Sequence, residues 1–225
     1  MNQNIITASG VVGIPLLLAS LISLTLVFER CYFWWQIWHR ESSVIRQVFT
    51  LLEVDRPQAI TFLLKHTDLP TPRIFLAALE LKRQDLETIQ VALETAARAE
   101  LPILRRFNTA FDTVITLAPM LGLLGTVLGL MTSFSSLSLG DVSRSDAAGV
   151  TGGISEALSS TAFGLIVAIA TLLFANVFRS FYRRQIAAIN AANGRLELLI
   201  RELNFSDPSS SFVDQTINRN FRTDL

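Results

Sequence analysis

Three long stretches of this chain carry no charged residue: Met1–Phe28, Thr113–Gly140 and Ala157–Phe178, of 28, 28 and 22 residues. A helix needs about 20 apolar residues to cross the hydrocarbon core of a bilayer. Inside that core the backbone must satisfy its own hydrogen bonds, so a run of this kind is helical unless it belongs to a closed barrel. Half of the chain is hydrophobic and its mean hydropathy is +0.43, too apolar for an ordinary soluble domain. The first run reads as a span and not as a cleaved signal, because "MNQNIITASG" has no basic stretch and the apolar segment is too long. It ends at "ERCYFWWQIWHR", where Tyr32, Trp34, Trp35 and Trp38 form an interfacial belt followed by basic residues. The expected fold is an all-α membrane protein with three transmembrane helices, helices two and three being extended into the cytoplasm.

Lysine and arginine orient it. None precedes the first run, eleven lie from Arg30 to Arg106, Arg144 stands alone between the second and third runs, and seven follow from Arg179. The positive-inside rule then puts the N-terminus outside. The expected segments are residues 1–29, first transmembrane helix; 30–112, cytoplasmic helical region; 113–138, second transmembrane helix; 139–152, an outward loop; 153–178, third transmembrane helix; and 179–225, a cytoplasmic helix extension and a disordered tail.

Residues 41–112 read as helices. Val44, Ile45, Val48, Phe49 and Leu52 form one apolar stripe and Ala59, Ile60, Leu63 and Leu64 another, with "DRPQ" and "DLPTPR" as breaks. Good helix formers dominate from about Pro72, and a long helix from Gln84 to Leu137 with a kink at Pro102 is expected. The segment after the third run keeps helical spacing, and the polar stretch from "NFSDPSSSF" does not.

Signatures of soluble chemistry are missing. No Gly-Lys-Ser/Thr follows "GLLGT", no serine sits in a nucleophile elbow, and no carboxylate pair is evident, so the reading is not an enzyme. Cys31 is the single cysteine, and His39 and His66 are far apart, so no metal site and no cofactor are expected. The balanced charge, 19 basic against 19 acidic residues, gives no footprint for nucleic acid.

The polar and small residues inside the apolar runs are more informative. "LAPMLGLLGTVLGLM" (117–131) accepts Pro119, Gly122, Gly125 and Gly129, although each glycine costs a helix about 1 kcal/mol and the proline about 3. Gly122, Thr126, Gly129, Ser133 and Ser136 repeat at helical spacing, and Ala157, Thr161, Gly164, Ala168, Thr171 and Ala175 do the same in the third run. Two readings are open. Such stripes let helices of one chain pack closely, or their hydroxyls line a polar passage for an ion. Glu156 is the only carboxylate at the threshold of the third span; it marks function if it lies within the membrane and an interfacial anion if it occupies the first helical turn. Asp112 reads as an end marker of the second span.

"LAPMLGLLGTVLGLMTSF" and "ISEALSSTAFGLIVAIATLLFANVF" resemble the ExbB/TolQ/MotA proton-channel family of bacterial inner membranes, closest to ExbB. The resemblance covers roughly residues 85–200 by motif and residues 1–84 by topology. It implies a multi-pass protein of the bacterial cell inner membrane with a periplasmic N-terminus and a cytoplasmic C-terminus, so 139–152 becomes a periplasmic loop. It also implies a homopentamer in the lipid bilayer around an ExbD-like single-span subunit that supplies a membrane Asp, working through a TonB-like protein on the proton motive force. Thr126, Thr161 and Glu156 match the family's proton pathway, while Gly122, Gly125, Gly129, Gly164 and Pro119 fit helix packing. A TolQ-like role in envelope integrity and a non-conducting membrane scaffold are the alternatives.

Overall fold

The computed structural model describes residues 12–81, 85–137 and 144–206, with side chains for all of these but 136, 137, 144–148 and 204–206. Every regular element among them is helical. Helix α1 spans Gly13–Val54, α2 Arg56–Leu64, α3 Pro70–Leu79, α4 Leu86–Leu104, α5 Asn108–Leu137 and α6 Arg144–Ser206. Three helices are long and apolar enough to cross a membrane, and the protein is an all-α membrane protein with three transmembrane helices. The start of the expected first span, the first five residues of the expected 139–152 loop and the tail beyond 206 lie outside the described residues.

Local chemistry sets the helix ends. Between Pro15 and Pro57 the chain has no proline, and α1 runs for 42 residues without a break. It stops where Asp55 turns extended, and Pro57 follows in the first turn of α2. Leu69 is extended in the same way before Pro70 and Pro72 open α3. Asp85 caps α4, its Oδ2 accepting from the Thr88 backbone N–H at 3.1 Å and from the Thr88 hydroxyl at 2.5 Å.

Two expectations change in detail. The helical path into the second span breaks at Arg105–Phe107, whereas Pro102 lies inside α4. The break falls there because Phe107 takes a left-handed backbone, φ 69°, which ends a helix outright where a proline only bends one. Helix α6 begins at Arg144, so part of the expected loop is helical, and it continues without interruption to Ser206.

The chain divides into two compact units. The first is built from residues up to Trp34 together with Arg105–Phe181. Its core joins Val12 and Leu16 to Val114 and Ala118 of α5 and Val167 and Ala168 of α6. Phe111 and Phe178 stack with ring centroids 5.7 Å apart, and the buried hydroxyls of Ser23 and Thr171 are 2.7 Å apart. Asp112, just before the second charge-free run, pairs with Arg179, just after the third, which links the start of α5 to the middle of antiparallel α6. Leu123, Met131, Phe134, Leu158, Ile166 and Leu173 point away from this core, as expected where hydrocarbon is the solvent.

The seam between α5 and α6 is the tightest part of this unit. A methyl group placed on Gly164 would lie 2.5 Å from the Ala118 carbonyl oxygen and 3.1 Å from Gly122 Cα. On Gly129 it would meet the Gly153 carbonyl oxygen at 2.7 Å, and on Gly125 the Ser160 hydroxyl at 2.2 Å. These are backbone or short, fixed groups, so nothing can swing aside.

The second unit comprises residues 35–104 and the chain from Tyr182 onward. Val44, Val48, Phe49 and Leu52 are buried, as are Ala59 and Leu63; Leu64, expected on the same stripe, is exposed. The buried Glu41 carboxylate ties three helices. Its Oε1 accepts from the Thr71 backbone N–H at 3.1 Å and the Thr71 hydroxyl at 2.5 Å, and its Oε2 accepts from Gln185 Nε2 at 2.5 Å. Leu69 provides no side-chain cap for α3, and Glu41 of α1 supplies it. Arg73 grips Glu100 with both nitrogens of one edge, Nε to Oε1 at 2.8 Å and Nη2 to Oε2 at 2.5 Å, which raises the guanidinium above its ordinary pKa.

Gly164→Ala should destabilise the protein by about 1–3 kcal/mol through overpacking. Gly194→Ala meets nothing within 4 Å on the same helix and should be neutral or stabilising by up to about 1 kcal/mol. Thermal unfolding in detergent, followed by circular dichroism, checks both; equal midpoints would contradict the seam. By the same measurement Glu100→Gln should cost about 2 kcal/mol, because it removes a charge-assisted pair from a buried site.

Candidate functional site

Thr161, Gly122 and Gly164 come together in the α5–α6 seam. The Thr161 hydroxyl donates to the Gly122 carbonyl oxygen at 2.9 Å, crossing from α6 to α5. The same oxygen receives the Ser160 hydroxyl at 3.4 Å, and Ser160 also donates to Ala157 O at 2.9 Å. Glycine at 122 favours this close approach: a Cβ there would sit 3.0 Å from Thr161 Cα, tighter than ordinary packing. The Gly122 carbonyl oxygen thus faces two hydroxyls of α6.

Thr126 stands one turn further along α5, half-buried, and its hydroxyl turns back to its own helix, donating to Leu123 O at 2.6 Å. It shares no hydrogen bond with Thr161. Glu156 is half-buried and precedes the buried Ala157 by one residue. Its place corrects one of the two readings open to it. Because α6 begins at Arg144, Glu156 lies roughly three turns inside the helix and not in its first turn, beyond the reach of the helix N-terminus. Ala157 in turn packs under Gly129, whose Cβ would come within 2.9 Å of it. Pro119 sits inside α5 without ending it, next to the Ala118 carbonyl against which Gly164 packs.

The two small-residue stripes therefore face each other, and Gly125, one position off the first stripe, meets Ser160. Ser160 was not singled out from the sequence. Its signal was present as the residue between the stripe positions Ala157 and Thr161 in "ALSSTAFG", and only the crossing of the helices reveals that it turns inward. Ser133 extends the polar line, its hydroxyl donating to Gly129 O at 3.0 Å and Val150 O at 3.1 Å. Ser23 was also missed: a lone serine in the first apolar run has no pattern to mark it, yet it pairs with Thr171.

The sequence that forms this seam is similar to that of known proteins. The sequence model of the MotA/TolQ/ExbB proton channel family matches residues 66–191, which contain α5 and the seam-forming part of α6. A biopolymer transport protein ExbB-like 3 of Synechocystis sp. is 55% identical over 194 residues, covering 86% of this chain and 92% of that protein. The biopolymer transport protein ExbB of Salmonella typhimurium is 37% identical over 89 residues, 40% of this chain and 34% of its own length. The Tol-Pal system protein TolQ of Pseudomonas aeruginosa is 40% identical over 134 residues, 59% of this chain and 51% of its own. The chain belongs to the MotA/TolQ/ExbB proton channel family.

Proposed function

We propose that this protein is an ExbB-like subunit of an inner-membrane proton channel and motor complex, one that uses the proton motive force to energise TonB-dependent outer-membrane transport. It works as a homopentamer with a periplasmic N-terminus and a cytoplasmic C-terminus. An ExbD-like single-span partner brings the membrane Asp that this chain lacks in its apolar runs, and a TonB-like protein receives the work. The observation that carries the reading is the cross-helix hydrogen bond from Thr161 to the Gly122 carbonyl, with Glu156 on the same helix well past its N-terminus. A hydroxyl that both donates and accepts can pass a proton or replace a water, and a carboxylate inside a span is costly enough to be kept for a task. Thr126, with its hydroxyl on the next turn of α5, belongs to the same pathway. Gly122, Gly125, Gly129, Gly164 and Pro119 shape the wall.

Similarity to TolQ over 134 residues favours a second reading, a TolQ-like role in envelope integrity. The two share the site and differ in the partner, so a TonB-like or a TolA-like protein encoded beside this chain separates them. A non-conducting scaffold is the third reading, and proton flux decides against or for it.

Glu156→Gln should leave the oligomer intact and lower proton-driven activity of the complex roughly a hundredfold, the scale of losing a positioned acid or base. Thr161→Val, which keeps the shape and removes the hydroxyl, should have the same sign with assembly unchanged. Native mass spectrometry of the co-purified complex checks assembly and stoichiometry, and proton uptake in proteoliposomes checks conduction. Wild-type uptake in both variants would sink the pathway and leave the scaffold.

A further inference from the structure

Asp112 and Arg179 bound the second and third apolar runs at one end of the α5–α6 pair: Thr113 begins the one and Phe178 ends the other. Arg179 spends two nitrogens here. Its Nη2 donates to Asp112 Oδ1, across to α5, and its Nη1 donates to Asn176 Oδ1 at 3.1 Å on its own helix. The guanidinium is thus fixed from both helices. The Asp112 side chain is 56% exposed and that of Arg179 37%. A pair this open contributes little to stability, so its placement needs another reason.

That placement follows the threonines of the seam. Arg179 stands 18 residues after Thr161 in uninterrupted α6, about five turns of helix. Asp112 stands 14 residues before Thr126 in α5, close to four turns and about 20 Å along the axis. Near-whole numbers of turns bring both charged groups back to the flank of the seam that carries Thr126 and Thr161. Thr116 lies between them on that flank; it is exposed, and its hydroxyl donates to the Asp112 carbonyl oxygen at 2.9 Å. Helix α5 holds no other acidic residue. A charge that only marks the end of a span needs no partner on another helix. A group that takes protons at the mouth of a pathway has to be held in place and stay open to water, and the pair with Arg179 meets both demands.

We propose that Asp112, held by Arg179, is the group through which protons leave the pathway on the cytoplasmic side. This rests on the function and orientation proposed above. A proton arriving along the flank as hydronium binds a carboxylate oxygen of Asp112 and leaves water behind. The acid then gives the proton to cytoplasmic water, and the carboxylate returns to its arginine. Arg179 is a positioning residue that keeps the carboxylate on the flank, and Asn176 steadies Arg179.

Chemical rescue tests it, with the co-purified complex in proteoliposomes and protein-free vesicles as background. Asp112→Asn should assemble normally by native mass spectrometry and lower proton uptake roughly a hundredfold, the low end for a positioned acid or base. Sodium formate added on the cytoplasmic side supplies a small mobile carboxylate and should restore most of that uptake. A purely structural loss gains nothing from formate. Thr161→Val, whose defect lies within the span, should not respond to it, and Glu94→Gln, in an exposed ion pair of α4, should conduct like the wild type. If Asp112→Asn does not assemble, the double variant with Arg179→Gln leaves no unpaired charge and carries the same test. Wild-type uptake without Asp112, or a loss that formate does not relieve, overturns the proposal. Wild-type uptake in Thr161→Val sinks the seam as the pathway instead, so the two failures are told apart.

Discussion

Direct backbone contact between α5 and α6 is the constraint from which the membrane unit follows. In hydrocarbon no hydrophobic force pushes two helices together, so association rests on dispersion and on hydrogen bonds between them. Both weaken within an ångström of extra separation. Gly122, Gly129, Gly153 and Gly164 remove that ångström, and the contact distances show that even a methyl group has no place there. Once the backbones touch, a side chain as short as threonine reaches the carbonyl of the other helix, as Thr161 does at Gly122. Bulkier residues would have put the hydroxyl and the carbonyl out of reach.

The two readings of the small-residue stripes need not exclude each other. Close packing and a polar lining are usually opposed, since a packed seam excludes water. Here the residues that permit packing also leave carbonyl oxygens exposed to hydroxyls, so the seam is both tight and polar. Ser160, Thr161 and Ser133 all donate to backbone carbonyls along it.

Much of the fold was legible in the sequence because its main signal is physical exclusion: an apolar run without charge has few places to go. The helix breaks at "DRPQ" and "DLPTPR" were readable for a similar reason, since proline acts on its own neighbours. The break at Phe107 was not, because nothing local asks phenylalanine to adopt a left-handed backbone; tertiary contacts with Arg30 and Arg106 accompany it. The helical start at Arg144 was hidden by Gly149 and Gly152, which read as a loop and in fact lie within a helix. For the candidate site, Thr126, Thr161 and Glu156 were visible as polar residues in apolar surroundings. Ser160, Ser23 and Glu41 were not, because their partners lie 38, 148 and 144 residues away.

Glu41 carries a consequence for how the chain is made. Its carboxylate caps α3 early in the sequence, while Gln185, which satisfies its second oxygen, is synthesised 144 residues later, after both remaining spans. Until Gln185 is made, Oε2 of Glu41 lacks the partner that satisfies it in the finished unit. The second unit is thus joined from an early and a late stretch of the chain, so it reaches its final form only after the residues of both later spans have been synthesised.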